Sequence, residues 1–159
     1  MSRPVLLCFD GSDGARHAIT AAGALLGGGP AVVACVWEPL GEFSKGNPWG
    51  AFVSALGRPA QEMDEIAAEV ASDIADDGAA AARAAGFDPI TTRAERREDG
   101  LDETLLRVAD EVDARAIVAG SRGLGLGRAL LLGSVSSGLV HHARRPVVIV
   151  PRPGGDATQ

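Results

Sequence analysis

Five short apolar runs recur along the chain, each closed by glycine or a polar turn, with stretches of helical spacing between them. Pro4 to Phe9 is the first, and it stops abruptly at Asp10-Gly11-Ser12. Ala31 to Trp37 is the second, Arg115 to Ala119 the fourth and Pro146 to Val150 the last. Ile90 to Arg96, rich in Thr and Arg, is the polar third and fits a sheet edge. Continuous apolar runs of this length suit strands covered on both faces, as in a parallel sheet.

The intervening stretches read as helices. Ser12 can cap a helix to about Leu26, where Gly27 to Gly29 end it. From Ala60 to Ala85, Met63, Ile66 or Ala67, Val70 and Ile74 form one stripe. It contains Gly78, at about 1 kcal/mol relative to Ala, and Gly86 closes it. Leu101, Leu105, Val108 or Ala109, and Val112 make the next stripe, and a last helix is expected from about Ser134 to Ala143. The alternation predicts an α/β fold, an open parallel five-stranded sheet with helices on both faces joined by right-handed crossovers. No internal repeat is present. A chain of 159 residues fits one domain, here 1–151, with a disordered tail over 152–159. Glu38 to Pro59 has no clean period, a connection of the length at which loops are usually functional or mobile.

Composition removes several function classes. The net charge of −6 argues against a nucleic-acid or anionic-membrane binder, and 4% aromatics without tyrosine leave no stacking platform for single strands. Fourteen of the fifteen basic residues are Arg; Lys45, in a Gly/Pro/Trp-rich stretch, is placed neither for a Walker A loop nor for a Schiff base. Ala18 to Trp37 is twenty residues without a charge, but Gly27-Gly28-Gly29-Pro30 breaks it, and Asp10 and Asp13 precede any long apolar core. No membrane span or export signal is expected. Cys8 and Cys35 lie in apolar runs and read as buried thiols suited to a reducing cytoplasm, with a disulfide between neighbouring strands as the alternative.

Ligands of open parallel sheets bind beyond the carboxyl ends of the strands, where connections diverge to opposite faces. Two segments stand there: Asp10-Gly11-Ser12, and Gly120-Ser121-Arg122-Gly123 followed after nine residues by Gly133-Ser134. Glycines let backbone amides approach an anion, and a helix opening at Gly133-Ser134 would favour negative charge at its N-terminus. Ser134 and Ser136 add hydroxyls, and between Ser121 and Gly133 there are two Arg and no acidic residue. A flexible loop before an ordinary Ser-capped helix is the plain alternative, and for Asp10 it is a turn aspartate beside Ser12. His141 and His142 with Arg144 and Arg145 read as favourable charge at a helix C-terminus rather than a metal site. His17 reads as a surface or partly buried helix residue. Trp37 and Trp49 flank the long loop and are expected to pack it onto the body, or to contribute to a nucleotide lid.

Gly120-x2-Gly123-x9-Gly133-Ser134 resembles the nucleotide-binding signature of the universal stress protein family in its ATP-binding branch. The opening strand with Asp10-Gly11-Ser12 and Ala18, and the closing Arg145 to Val150, are similar to that family's start and end. The resemblance implies strand order 3-2-1-4-5 and ATP held between the first and fourth strands, with Mg²⁺ as a possible companion ion and AMP or cyclic AMP as alternatives. By position, it implies that Phe9 and Asp10 line the nucleoside side and that the Val36 backbone reads adenine. Gly120, Ser121 and Gly123 would wrap ribose and phosphates, and Gly133, Ser134, Val135 and Ser136 would hold the phosphate tail. A contact from Arg122, at a variable position, is a conjecture. The resemblance also implies a homodimer through the strand Pro146 to Val150. A nucleotide-binding regulatory module is the leading reading. A slow ATPase or nucleotidyl transferase is disfavoured, because Asp10 and Arg122 are the only evident candidates for phosphoryl-transfer machinery. A nucleotide-free dimerisation module sits badly with the intact glycine pattern.

Overall fold

The computed structural model describes residues 2–39, 55, 57, 59–121 and 132–152. Its elements are β1 (Val5–Cys8), α1 (Asp13–Leu26), β2 (Gly29–Trp37), α2 (Ala60–Ala84), β3 (Phe87–Arg96), α3 (Leu101–Glu111), β4 (Ala116–Gly120), α4 (Ser134–His142) and β5 (Val147–Val150). The strands form one parallel sheet, as the alternation of elements predicts, in the order β3-β2-β1-β4-β5 that the family resemblance implies. Most of the segment Glu38 to Pro59, including Trp49, and the tail from 153 onward lie outside the described residues.

Local chemistry explains most of the boundaries. Ser12 Oγ accepts the Ala15 N–H at 3.1 Å, and Gly27 closes α1 in the left-handed region, donating to Gly23 O. Gly27, Gly28 and Gly29 have φ of 73°, 68° and 90°, a succession that only glycine adopts cheaply. β2 begins two residues earlier than the apolar run, because Gly29 and Pro30 enter the sheet through a register shift. β3 likewise begins at Phe87, whose ring is buried. It is the polar edge strand expected, tied to α3 by Arg93 with Glu95 and Glu111, and by Arg107 with the same two carboxylates.

Alternation along the central strands divides the core. Val5, Leu7, Phe9, Val33 and Val118 pack with Ile19 and Phe87 under α1 and α2. Leu6, Val32, Ala34 and Ile117 pack with Leu105, Val108 and Leu139 under α3 and α4. The same alternation separates the thiols: Cys8 packs on the α3/α4 side and Cys35 with Ala71 and Ala75 of α2, so the disulfide alternative is replaced by two free cysteines.

The expected stripe of α2 is corrected. Met63, Ala67 and Ile74 are half-buried and Ile74 packs on the core, but Ile66 and Val70 are 41% and 52% exposed, and the fully buried face is Ala71, Ala75, Gly78, Ala79 and Ala82. Small residues bring the helix axis close to the sheet, so close that a Cβ at position 78 would lie 2.7 Å from both Phe9 Cδ1 and Val33 Cγ1. Gly78 is thus a packing requirement, and not only a propensity cost. At the opposite, N-terminal edge of the strands, Arg115 donates to the carbonyls of Leu26 and Gly28. Arg145, expected at a helix end, bonds the Ala114 carbonyl and Asp110. His142 Nδ1 stands 3.7 Å from Asp102 Oδ2.

Candidate functional site

Strand lengths build a notch. β1 pairs with β2 only as far as Cys8 opposite Ala34, and with β4 only as far as Leu7 opposite Val118. Beyond those points Cys35, Val36 and Trp37 pair with β3, and Ala119 and Gly120 with β5. The middle strand therefore stops short while both neighbours run on. Asp10 lies at the floor of the gap, Val36 on one wall and Gly120 on the other. This is also where the connections diverge, β1 leading to α1 on one face and β4 to α4 on the other.

At the floor, Asp10 Oδ1 accepts the Ser12 N–H at 3.0 Å across Gly11, whose φ of 81° makes the tight turn. Asp10 thus has the turn role that was its plain alternative, at the position where its carboxylate also borders the notch. In the first turn of α1, the Ser12 side chain caps the Ala15 amide. The Phe9 ring is 3% exposed and belongs to the α1/α2 core, with the Arg16 guanidinium 5.4 Å from its centroid. Phe9 therefore offers main chain, not side chain, to the notch, and its N–H already donates to Ala34 O.

The β4 side differs from the sequence reading in which donors are open. A Cβ on Gly120 would meet the Gly14 carbonyl group at 3.2 Å, so the space its missing side chain leaves is filled by α1 backbone. Ser121 N–H donates to Val150 O, and Gly133 N–H donates to Ser121 O, both at 2.8 Å. Ser136 Oγ donates toward Gly120 O at 2.8 Å and Ser121 O at 3.2 Å. The Ser136 hydroxyl, expected as a phosphate donor, has its single proton committed inward. Among the described residues, the donors left are the amides of Ser134, Val135 and Ser136. These precede the first intrahelical bond of α4, Ser137 N–H to Gly133 O, and the glycine at the N-cap supplies no side-chain cap. Ser134 itself is exposed. Of two helices starting beside the notch, α1 has a side-chain cap at one amide and α4 has none. Arg122 and Gly123 lie outside the described residues.

Burial first, and the charge of Asp10 second, push the Cys8 thiol up to about 12 and Cys35 to about 11, so both stay protonated near neutrality. Among the described residues, no three His, Cys, Asp or Glu side chains gather to hold a metal ion, and no helix is long and apolar enough to cross a membrane. Sequence reasoning missed Gly14 as the partner of Gly120. The notch it did not derive, although the unequal lengths of the first two apolar runs carry its signal.

Comparison with known proteins points in one direction. The model of the universal stress protein family matches residues 1–151. A Thermus aquaticus relative, described as a universal stress protein in the QAH/OAS sulfhydrylase 3' region, is 30% identical over 158 residues, covering 94% of this chain and 99% of its own. The universal stress protein from Archaeoglobus fulgidus in complex with dAMP is similar at 25% identity and TM-score 0.63, over 94% of this chain and 98% of that one. A universal stress protein in complex with cAMP has 24% identity and TM-score 0.64, over 93% and 96%.

Proposed function

The chain belongs to the universal stress protein family, and from that premise we propose that it is an adenine-nucleotide-binding regulatory module, with ATP as its ligand. The base lies against the β2 wall at Val36, the nucleoside over Asp10, and the phosphates at the first turn of α4. The observation that carries the reading is the first turn of α4 beside the notch, which no side chain caps, whereas Ser12 caps that of α1. Three amides and the positive end of the helix dipole favour an anion there. The relative solved with dAMP shares the fold and holds an adenine nucleotide. Gly123 and Arg122 complete the phosphate side in this reading. Any Mg²⁺ enters with the phosphates, and a role in stress response follows from family membership. The edge strand β5, apolar and among the described residues paired only with β4, is the surface for a homodimer.

The test is a thermal-shift and calorimetric titration with ATP, AMP and cyclic AMP on wild type and Ser134→Pro. Proline is well tolerated at the first helical position, and Gly133, at φ −63° and ψ 164°, already has the conformation that precedes proline. The substitution deletes one amide and one hydroxyl without breaking the helix. At a hundredfold excess over Kd, ATP should stabilise wild type by about 2.7 kcal/mol. Loss of one charge-assisted bond, about 1.5–3 kcal/mol, should weaken binding in the variant by roughly ten- to a hundredfold. Equal affinity in both proteins would remove the phosphates from α4.

A further inference from the structure

We propose that Ser136 is a positioning residue, a lock that holds the open end of α4 against the end of β4, rather than a ligand of the phosphates by its side chain. The inference rests on the nucleotide reading for its consequence, but its geometry stands by itself. Ser136 lies in the first turn of α4 and is 3% exposed, too enclosed to reach outward. Its one hydroxyl proton is shared between Gly120 O at 2.8 Å and Ser121 O at 3.2 Å. Ser121 O is also the acceptor of the Gly133 N–H, and Ser121 N–H is bonded to Val150 on β5. Two donors from the start of α4 thus converge on the carbonyl that ends β4 and the one after it.

The junction decides where the free amides sit. The Ser134, Val135 and Ser136 N–H groups have no partner within the helix, so their position relative to the notch depends on what anchors the turn that carries them. The Gly133 N–H supplies one anchor and the Ser136 hydroxyl the other. A phosphoryl group is held well only by donors already in place, because ordering them at binding lowers affinity. Ser136 acts through the α4 amides, its own included. The lock acts on the α4 amides, which hold the phosphates in this reading, while the base lies at Val36 and the nucleoside over Asp10.

The test uses the full chain as wild type, Ser136→Ala and Ser136→Thr. Amide exchange at Gly133 is followed by NMR without ligand, and the affinities of ATP, AMP and adenosine by calorimetry. In Ser136→Ala, Gly133 exchange should rise about tenfold in the ligand-free protein, and ATP and AMP should each bind about tenfold more weakly with adenosine unchanged. Ser136→Thr, which keeps the hydroxyl, should restore both. Weaker ATP binding with unchanged Gly133 exchange would make the hydroxyl a direct phosphate ligand and overturn the proposal. An equal loss for adenosine would overturn it as well. If Ser136→Ala does not fold, Ser136→Cys, similar in volume but a weak donor, carries the same comparison. Should wild type bind none of the three ligands, the functional reading fails, and Gly133 exchange still decides whether the lock exists.

Discussion

Replacing Gly78 by Ala sets two effects of opposite sign against each other. In an exposed helix interior the change is stabilising by about 1 kcal/mol, and the surrounding run of alanines in α2 makes it look harmless. The structure reverses the expectation. The new Cβ would stand 2.7 Å from Phe9 Cδ1, 2.9 Å from Phe9 Cγ and 2.7 Å from Val33 Cγ1, against a normal carbon–carbon separation of about 3.5–4.0 Å. Phe9 and Val33 are 3% and 0% exposed, so neither can swing into solvent. Two overlaps with enclosed side chains belong at the upper end of overpacking costs, about 3 kcal/mol. The net is a loss of about 2 kcal/mol, or roughly 4–8 °C in Tm at about 2–4 °C per kcal/mol for a domain of this size. Urea denaturation should show the midpoint falling with the slope unchanged. In a Val33→Ala background one of the two overlaps is gone, and Gly78→Ala should cost less there by more than about 0.5 kcal/mol. A raised Tm for Gly78→Ala, or additivity of the two changes, would refute the close approach of α2 to the sheet.

Other outcomes follow from the same coordinates. The raised Cys8 and Cys35 thiols stay protonated in the folded chain at pH values where they ionise in the unfolded one. Stability is therefore held below about pH 9 and lost as pH rises toward about 11 and 12; in native protein at pH 8, a thiol reagent should label neither cysteine until the chain unfolds. Hydrogen bonds from Arg93 and Arg107 hold the Glu111 carboxyl below the usual carboxylate range, so its contribution is present above that range and disappears as pH falls through the lowered value. Wild type and Glu111→Gln should then differ in Tm at neutral pH, less at high salt, and converge on acidification. Ile117 N–H and Ser121 N–H bond the carbonyls of Pro146 and Val150, which aims the backbone of Ile149 at the free edge of β5. Ile149→Pro should consequently leave the β4 ladder in place and convert a dimer to monomer in sedimentation velocity; a dimer that survives would put the interface elsewhere.

Much of this fold is written in local signals. Ser12 and the three glycines at 27–29 fix α1 at both ends, and five runs separated by helical spacing predict a parallel sheet, whose strand order comes from the family resemblance. What local reading loses is whatever depends on residues remote in the chain. Gly78 looks like a weak point in a helix until Phe9 and Val33 are found against it, and Gly120 looks like a ligand glycine until Gly14 fills its space. Ile66 and Val70 have the spacing of a buried stripe, yet the alanine face wins because small side chains allow the helix closer to the sheet. Ser136 has the right type and place for a phosphate donor, and only its carbonyl partners show that its proton is spent. At the candidate site, sequence named the residues that border the notch and could not say which donors among them were open.

Because the walls at Val36 and Gly120 belong to strands of a single hydrogen-bonded sheet, their separation is set by two strand spacings, close to 10 Å, whether or not anything lies between them. Such a vise cannot tighten on its contents. An occupant able to alter the molecule must therefore do so out of the plane of the ladder, where α1 and α4 begin beside the notch and α4 packs chiefly on α3.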